Sequence, residues 1–307
     1  MPDTQPDWYT QGLDHVWLPY TQMKTARPPL AAVGTEGVRI HLADGRTLID
    51  GIASWWTAVH GYNHPHILKA LSDQMAAMPH MMFGGLVHAP ALTLARRLAE
   101  ITPGDLTRTF FAESGSVSVE VAMKCAMQYF LNQGERRGKF VHFRGGYHGD
   151  TLATMAVCDP DEGMHDHFKG LLTSHLLADL PVDDASFDAF ASWLYSVRGE
   201  VAAIVTEPLV QGAGGMLMHS PQTLKWLRGA ADAAGVLLIV DEIFTGFGRT
   251  GTMFACDQAG IVPDIMTLSK ALTGGVTPLS AAIMRPHVVA PFLSDDPMKA
   301  LMHGPTY

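Results

Sequence analysis

The chain has 307 residues, 47% of them hydrophobic and 17% charged, which excludes a disordered chain and allows one large or two modest packed domains. Its net charge is −9 with neutral histidines, and no run of Lys and Arg forms a patch, which argues against binding nucleic acid through phosphate attraction. Three widely spaced cysteines suit a reducing, cytoplasmic compartment, and no apolar stretch approaches the ~18 residues of a membrane span.

The N-terminal part of the chain carries short pieces of alternating hydrophobicity. Residues 38–42 and 47–49 flank an Asp44-Gly45 turn, which predicts a small β-hairpin. We interpret residues 1–62 as the N-terminal segment of a smaller α+β domain, and residues 63–307 as a large domain.

Further along, short apolar runs end in Gly, Ser or acidic residues and alternate with helical patterns. Ala122, Cys125, Ala126 and Tyr129 lie at the spacing of one helix face, and residues 221–234 form a second helical pattern. Strands that alternate with helices pair in parallel, so we predict an α/β fold with a mostly parallel central sheet and flanking helices. The predicted strands are 108–112, 139–143, 201–206, 236–240 and 265–268. In such sheets functional residues gather just past the carboxyl ends of the strands.

Lys270 follows one of these strands and precedes the glycine-containing segment ALTGG. Burial disfavours the charged form of a lysine and lowers its pKa, and a neutral amine can form a Schiff base with an aldehyde. The alternative is a surface lysine at a strand end.

Asp241 follows five apolar residues, where a carboxylate is costly to bury without a charged partner. A protonated pyridine nitrogen is such a partner, and the carboxylate would keep that nitrogen protonated. The alternative is an ordinary strand-end aspartate or a Mg²⁺ ligand, although the sequence has no Walker A motif.

Ser114-Gly115-Ser116 lies between a predicted strand and a predicted helix, where backbone N–H groups and hydroxyls can bind a phosphate. A simple helix cap is the alternative. Tyr147 follows another strand and could stack on a flat cofactor or pack locally in a turn, and the neighbouring His148 and Asp150 are open to either role.

Two patterns resemble sites of other kinds. The 246–251 segment matches GxGxxG, but five residues separate it from the strand and no helical pattern follows at once. We therefore favour Arg249 as an arginine that guards the site or binds a carboxylate over a dinucleotide site. His60, His64 and His66 are close in sequence, but Gly61 and Pro65 interrupt a shared helix, so we interpret them as loop histidines and not as metal ligands.

Four motifs taken together resemble the class III pyridoxal 5'-phosphate aminotransferases of fold type I. They are Glu207-Pro208, Asp241-Glu242, the 246–251 segment and Ser269-Lys270, in this order and spacing. The similarity extends over stretches such as 54–65 (SWWTAVHGYNHP), 113–124 (ESGSVSVEVAMK) and 303–307 (HGPTY). The resemblance implies that residues 63–307 form the cofactor-binding domain.

The resemblance also implies roles for individual residues. Lys270, Asp241 and Tyr147 would be catalytic, with Lys270 bound to the cofactor and moving the proton. Pro305 and Thr306 would reach the phosphate in a neighbouring subunit, which implies a homodimer with its active site at the subunit interface. The implied cofactor-binding residues are Gly115, Ser116, Tyr147, Glu207, Asp241, Lys270, Pro305 and Thr306. The implied substrate-binding residues are Tyr20, Trp55, Trp56, Tyr147, Asp150, Arg249, Lys270 and Gly304.

Within this family, the chain is similar to members of biotin synthesis that pass the amino group of S-adenosylmethionine to 7-keto-8-aminopelargonate. Trp55 and Trp56 suit both an aliphatic acceptor and a cationic donor with a stackable adenine, although core packing is the alternative for adjacent tryptophans. A lysine or ω-amino acid donor is a second possibility. Relatives continue for roughly 100 residues beyond HGPTY, so we expect the C-terminal part of the small domain to be absent here, and an inactive fragment is a third possibility.

Overall fold

The computed structural model describes residues 5–161 and 165–304. The chain divides into two compact units, Met1–Pro79 and His80–Tyr307. The predicted domain boundary at residue 62 refers to the domains of the family and stays a prediction. In the described ranges no helix is both long and apolar enough to cross a membrane.

The first unit contains a three-stranded antiparallel sheet in the order β1-β2-β3. The predicted hairpin is confirmed, because Arg39 of β2 pairs with Ile49 of β3 and Gly45 supplies the positive φ that the turn needs. Strand β1 adds to it on the other side of β2. The elements of this unit are α1 (Asp7–Gly12), β1 (Ala32–Glu36), β2 (Arg39–Leu42), β3 (Thr47–Ile49), α2 (Ala53–Trp56) and α3 (Pro65–Ala77).

Helix α3 begins at Pro65, which suits a first helical position because no N–H is needed there. Pro65 therefore starts a helix, and the interpretation of His66 as a loop histidine is wrong. His64 is the N-cap residue and His60 precedes the helix. Among the residues that the structure describes, no group of three His, Cys, Asp or Glu is arranged to hold a metal ion.

The second unit is built on a seven-stranded sheet in the order β4-β12-β11-β10-β7-β5-β6. Strands β11, β10, β7, β5 and β6 pair in parallel, and β12 runs antiparallel to both β4 and β11. The predicted mostly parallel sheet is therefore confirmed. Its strands are β4 (Arg108–Ala112), β5 (Lys139–Phe143), β6 (Leu176–Ala178), β7 (Val201–Thr206), β10 (Leu237–Asp241), β11 (Ile265–Leu268) and β12 (Ser280–Met284).

Helices and short strands complete this unit. A two-stranded ribbon follows β7, made of β8 (Val210–Gln211) and β9 (Leu217–Met218). The helices are α4 (Ala89–Ile101), α5 (Gly115–Leu131), α6 (Leu152–Met155), α7 (Asp184–Val197), α8 (Pro221–Ala234), α9 (Ala255–Ala259) and α10 (Pro286–Val289).

The inner strands β7, β10, β11 and β12 are buried along their whole length, as their continuous apolar sequences predict, whereas the edge strands β4 and β6 are largely only partly buried. Successive residues of β10 alternate between two cores: Leu238 and Val240 pack in the cluster that contains residues of α7 and α8, while Leu237 and Ile239 pack with residues of α5. Each flanking helix layer thus covers one face of the sheet. The carboxyl edge of the parallel strands is where polar residues meet.

Candidate active site

Four neighbouring strands end at residues that the sequence marks as functional. Strands β11, β10, β7 and β5 lie side by side in the sheet and run in parallel. Their carboxyl ends lead to Lys270, Asp241, Glu207 and the Tyr147 segment, respectively. Residues that are up to 123 positions apart in number therefore meet at one edge of the sheet.

Asp241 is the last residue of β10 and is only 4% exposed. Its Oδ1 accepts hydrogen bonds from the Ile243 N–H (3.1 Å) and the Thr267 hydroxyl (3.2 Å). Its Oδ2 lies 2.9 Å from Nδ1 of His148, which is equally buried. Burial alone would lower the pKa of His148, but the hydrogen bond to Asp241 and the charges of Asp241 and Glu207 raise it.

The Asp241–His148 pair was not predicted from the sequence. The sequence showed that a buried carboxylate needs a charged partner, and the structure supplies a histidine from the loop after β5. His148 and Asp241 are 93 residues apart, so local sequence patterns cannot reveal their pairing. The position of His148 beside Tyr147 was the one sequence feature that suggested a role for it.

Lys270 begins a single turn of 3-10 helix, Lys270–Thr273, with a left-handed φ of 42°. Burial lowers the pKa of Lys270, and the positive charge of Arg249 lowers it further. The carboxylates of Asp241, Glu207 and Asp150 act in the opposite direction. The structure therefore brings five of the predicted site residues within electrostatic range of one another.

Glu207 follows β7 and is 6% exposed. Its Oε2 accepts the Tyr147 N–H at 3.0 Å and its Oε1 accepts the Gly212 N–H at 2.9 Å. Burial raises the pKa of this carboxyl to about 7, and the nearby charge of Asp241 acts in the same direction.

Tyr147 is partly buried, and its ring stacks on that of His165 with a centroid distance of 6.0 Å and an interplanar angle of 21°. His165 Nε2 in turn lies 3.1 Å from Oδ1 of Asp150. This geometry accommodates the local-packing alternative for Tyr147, and its stacking on a cofactor stays a prediction.

The Ser114–Ser116 junction connects β4 to the 17-residue helix α5. Ser114 caps the helix, because its Oγ accepts the Val117 N–H at 3.3 Å. Ser116 accepts the Asp150 N–H at 3.2 Å, which ties the helix start to the loop after β5. A Cβ at Gly149 would overlap Ser116 Oγ, so this contact requires glycine there. Phosphate binding by Gly115 and Ser116 stays a prediction.

The 246–251 segment forms turns, and the next helix, α9, begins at Ala255. This geometry differs from a dinucleotide fingerprint, in which a helix begins within the motif. Arg249 is held by a hydrogen bond from its Nε to the Phe244 carbonyl (2.6 Å), and its guanidinium lies over the Phe244 ring.

The predicted substrate-wall residues Tyr20, Trp55 and Trp56 belong to the first unit. Tyr20 and Trp55 make an edge-to-face contact with ring centroids 5.8 Å apart. Trp55 is 53% exposed and Trp56 is only partly buried, which contradicts the core-packing alternative. Residues 53–56 all have positive φ, a conformation that is uncommon for residues other than glycine and that clusters at functional sites.

The C-terminal candidates are only partly within the structure. Gly304 is exposed. Pro305 and Thr306 lie outside the described residues, so their expected contact with a neighbouring phosphate stays a prediction.

Comparison with known proteins identifies the family. Residues 20–307 match the family model described as aminotransferase class III. The chain belongs to the class III aminotransferases. It is 46% identical over 303 residues to the adenosylmethionine-8-amino-7-oxononanoate aminotransferase of Mycobacterium leprae, covering 95% of this chain and 69% of that protein. It is 41% identical over 300 residues to the enzyme of the same name from Buchnera aphidicola, covering 95% and 70%.

Solved structures agree with this assignment. The crystal structure of the enzyme of that name from Methanocaldococcus jannaschii matches with a TM-score of 0.92 and 33% identity, covering 97% of this chain and 70% of that one. An amine transaminase from an uncultivated Pseudomonas species, solved in its PLP-bound form, matches with a TM-score of 0.87 and 30% identity over 95% and 70%. The predicted fold type and aminotransferase class are confirmed.

Residues at the carboxyl edge fit the cofactor of this family. Lys270 has a lowered pKa, which suits an amine that must react with an aldehyde. Asp241 is a buried carboxylate that can face a protonated ring nitrogen. The start of α5 offers backbone N–H groups to a phosphate.

Proposed function

We propose that this chain transfers the amino group of S-adenosylmethionine to 7-keto-8-aminopelargonate and yields 7,8-diaminopelargonate for biotin biosynthesis. The observation that carries the proposal is the meeting of Lys270, Asp241 and Glu207 at the ends of three adjacent strands, in a chain 46% identical to a relative whose name states this donor and acceptor.

We further propose that pyridoxal 5'-phosphate is the cofactor. When bound, it supplies an aldehyde that takes up the amino group and a ring that withdraws electrons from the reacting carbon. Lys270 would hold the aldehyde end and Asp241 the ring nitrogen, while Gly115 and Ser116 would hold the phosphate.

The chain's own residues determine how protons are handled. Burial lowers the pKa of Lys270, which favours the uncharged form of its Nζ, and an uncharged Nζ would take a proton from the substrate carbon. Arg249 and Asp150 lie within electrostatic range of the same amine, which supports the proposal that they orient a charged substrate there. Tyr147 would cover one side of the reacting centre and exclude water from it.

Trp55 and Trp56 are proposed as the substrate wall, with Tyr20 beside them and Gly304 as a further contact. Exposed indole faces suit both a sulfonium cation and an aliphatic chain. These aromatic side chains favour S-adenosylmethionine over lysine as the donor.

A homodimer is proposed with the site at the subunit interface. The second unit exposes a run of large apolar side chains that a partner surface could cover. They are Met81, Met82, Phe83, Leu86 and Val87. A cytoplasmic location is proposed because all three cysteines are free thiols.

The test uses the 307-residue chain with pyridoxal 5'-phosphate, 7-keto-8-aminopelargonate and either S-adenosylmethionine or lysine as donor. We expect diaminopelargonate with S-adenosylmethionine, and no turnover by Lys270→Ala, which should still bind the cofactor weakly and without a covalent bond. Borohydride treatment followed by peptide mapping should place the reduced cofactor on Lys270. A marked preference for lysine would overturn the proposed donor, and normal turnover by Lys270→Ala would overturn the role of that residue.

A further inference from the structure

The loop that carries Tyr147 is held by side chains from several other elements. We name residues 144–150 the Tyr147 loop. The Gly145 N–H donates to Asp159 Oδ2 (2.6 Å) and the His148 N–H donates to Cys158 Sγ (3.1 Å). The Asp150 N–H donates to Ser116 and the Tyr147 N–H to Glu207. The backbone conformation at Tyr147 is therefore imposed from outside the loop.

The segment after Glu207 is docked against the same loop. The side-chain amide of Gln211 donates to the Arg144 carbonyl at 2.7 Å. A Cβ at Gly214 would overlap the Gly145 carbonyl oxygen, so the two backbones are in direct contact. Glu207 bridges the two segments through the Tyr147 and Gly212 N–H groups.

Both carboxylate oxygens of Glu207 are occupied by backbone N–H groups, and the side chain is buried between the two segments. We infer that Glu207 is a positioning residue, which fixes the Tyr147 ring at the site by holding the Tyr147 loop against residues 207–218. This inference rests on the proposed function only in what the fixed ring is for. We call the two hydrogen bonds from the Tyr147 and Gly212 N–H groups to Glu207 the Glu207 clamp; it is present in the chain without its cofactor.

Substitution of Glu207 by Gln tests the clamp because the shape is kept and one acceptor is lost. A glutamine has a single carbonyl oxygen, so one of the two N–H groups must face an NH₂ donor. Charged neighbours of Glu207 are His148, Asp241 and Lys270, and His219 Nε2 contacts its backbone carbonyl. Glu207→Asp keeps the charge but shortens the reach, and it serves if the Gln variant does not fold.

The matched control is Asp264→Asn. Asp264 is an equally buried carboxylate that accepts a backbone N–H, from Leu238 at 2.7 Å, but it lies near the amino end of β10 and not at the site. It therefore reports what loss of stability alone does to exchange, cofactor binding and turnover.

The first measurement is amide hydrogen exchange of the full chain without cofactor. We expect Glu207→Gln to speed exchange about tenfold or more in peptides covering both 144–150 and 208–216, with α8 unchanged. Wild-type exchange in both segments, or the same uniform acceleration as in Asp264→Asn, would overturn the inference.

The second measurement uses the chain with pyridoxal 5'-phosphate. We expect Glu207→Gln to lower kcat about tenfold with a smaller change in donor KM, while Asp264→Asn keeps the wild-type kcat and visible absorbance spectrum. Equal kcat in Glu207→Gln and wild type would overturn the positioning role. Failure of the wild-type chain to bind the cofactor would instead count against the proposed function, since the exchange experiment does not depend on it.

Discussion

The raised pKa of Glu207 makes a quantitative prediction about stability. Burial is the main cause of the raised pKa, the charge of Asp241 adds to it, and His148 and the two backbone N–H groups oppose it. The folded-state pKa is about 7, compared with 4.5 for an ordinary glutamate. Folding therefore favours the protonated form, and this contribution to stability is fully present below pH 4.5 and is lost as the pH rises through about 7.

The magnitude follows from the size of the shift. One pKa unit corresponds to about 1.4 kcal/mol, so the change from 4.5 to about 7 corresponds to about 3 kcal/mol in the cofactor-free chain. The glutamine of the Glu207→Gln variant cannot ionise, so the variant should not show this loss of stability as the pH rises. The free energy of unfolding of the wild type should therefore fall by about 3 kcal/mol more than that of the variant between pH 4.5 and 8.

Urea unfolding at closely spaced pH values, on both proteins without cofactor, measures this difference. Burial lowers the pKa values of His142, which is buried, and His175, which is partly buried, to about 4, so both destabilise the fold as the pH falls. They do so in both proteins, and their effects cancel in the comparison. Parallel stability curves for wild type and Glu207→Gln would refute the reasoning, because Glu207 would then titrate alike in the folded and unfolded chain.

Three further predictions concern other residues. Asp241→Asn should lower kcat about 100-fold or more while weakening cofactor binding far less, because a neutral amide cannot hold a ring nitrogen protonated. Steady-state kinetics and cofactor titration measure the two effects, and a larger effect on binding than on kcat would contradict this prediction. Gly149→Ala should lower the free energy of unfolding by about 1–3 kcal/mol and weaken cofactor binding. The added Cβ would overlap Ser116 Oγ, and the φ of 131° at this position is unfavourable for alanine. An unchanged Tm in thermal unfolding would count against the contact. Asp264→Ala should cost about 3–5 kcal/mol in urea unfolding. It removes a buried carboxylate that lies 2.8 Å from the Arg228 guanidinium and accepts the Leu238 N–H, and it leaves Arg228 with only the exposed Asp232 as an acidic partner. A loss below about 1 kcal/mol would show that the Asp264–Arg228 pair behaves like an exposed one.

The strands that position the site could be predicted from the sequence because each is an uninterrupted apolar run with an abrupt polar end. Residues Arg108–Ala112, Lys139–Phe143, Val201–Thr206 and Ile265–Leu268 were predicted with the bounds that the structure shows. The strand predicted at 236–240 is displaced by one residue, because Asp241 still pairs with Thr267 of the neighbouring strand.

Strand β12 could not be predicted in the same way. Its sequence, SAAIM, is short and rich in small residues, and no functional residue marks its end. Its antiparallel direction depends on pairing with β4, which lies about 170 positions earlier in the chain (Ser280 with Ala112). Local patterns carry no information on such a pairing, and the same limit hid the hydrogen bond between His148 and Asp241.

The pKa shifts at the carboxyl edge have one physical origin and a common consequence. Burial lowers the pKa of Lys270 and raises that of Glu207, so both shifts favour the neutral form of the side chain. For Lys270 the shift favours the uncharged amine that the proposed proton transfer needs, while Glu207, whose two carboxylate oxygens accept backbone N–H groups, serves to hold the backbone. Beside them, the hydrogen bond to Asp241 raises the pKa of His148, although the burial of this histidine acts in the opposite direction. The same edge of the sheet thus combines a buried carboxylate that is hydrogen-bonded to His148, and that we propose to face a ring nitrogen, with an amine whose lowered pKa favours its uncharged form.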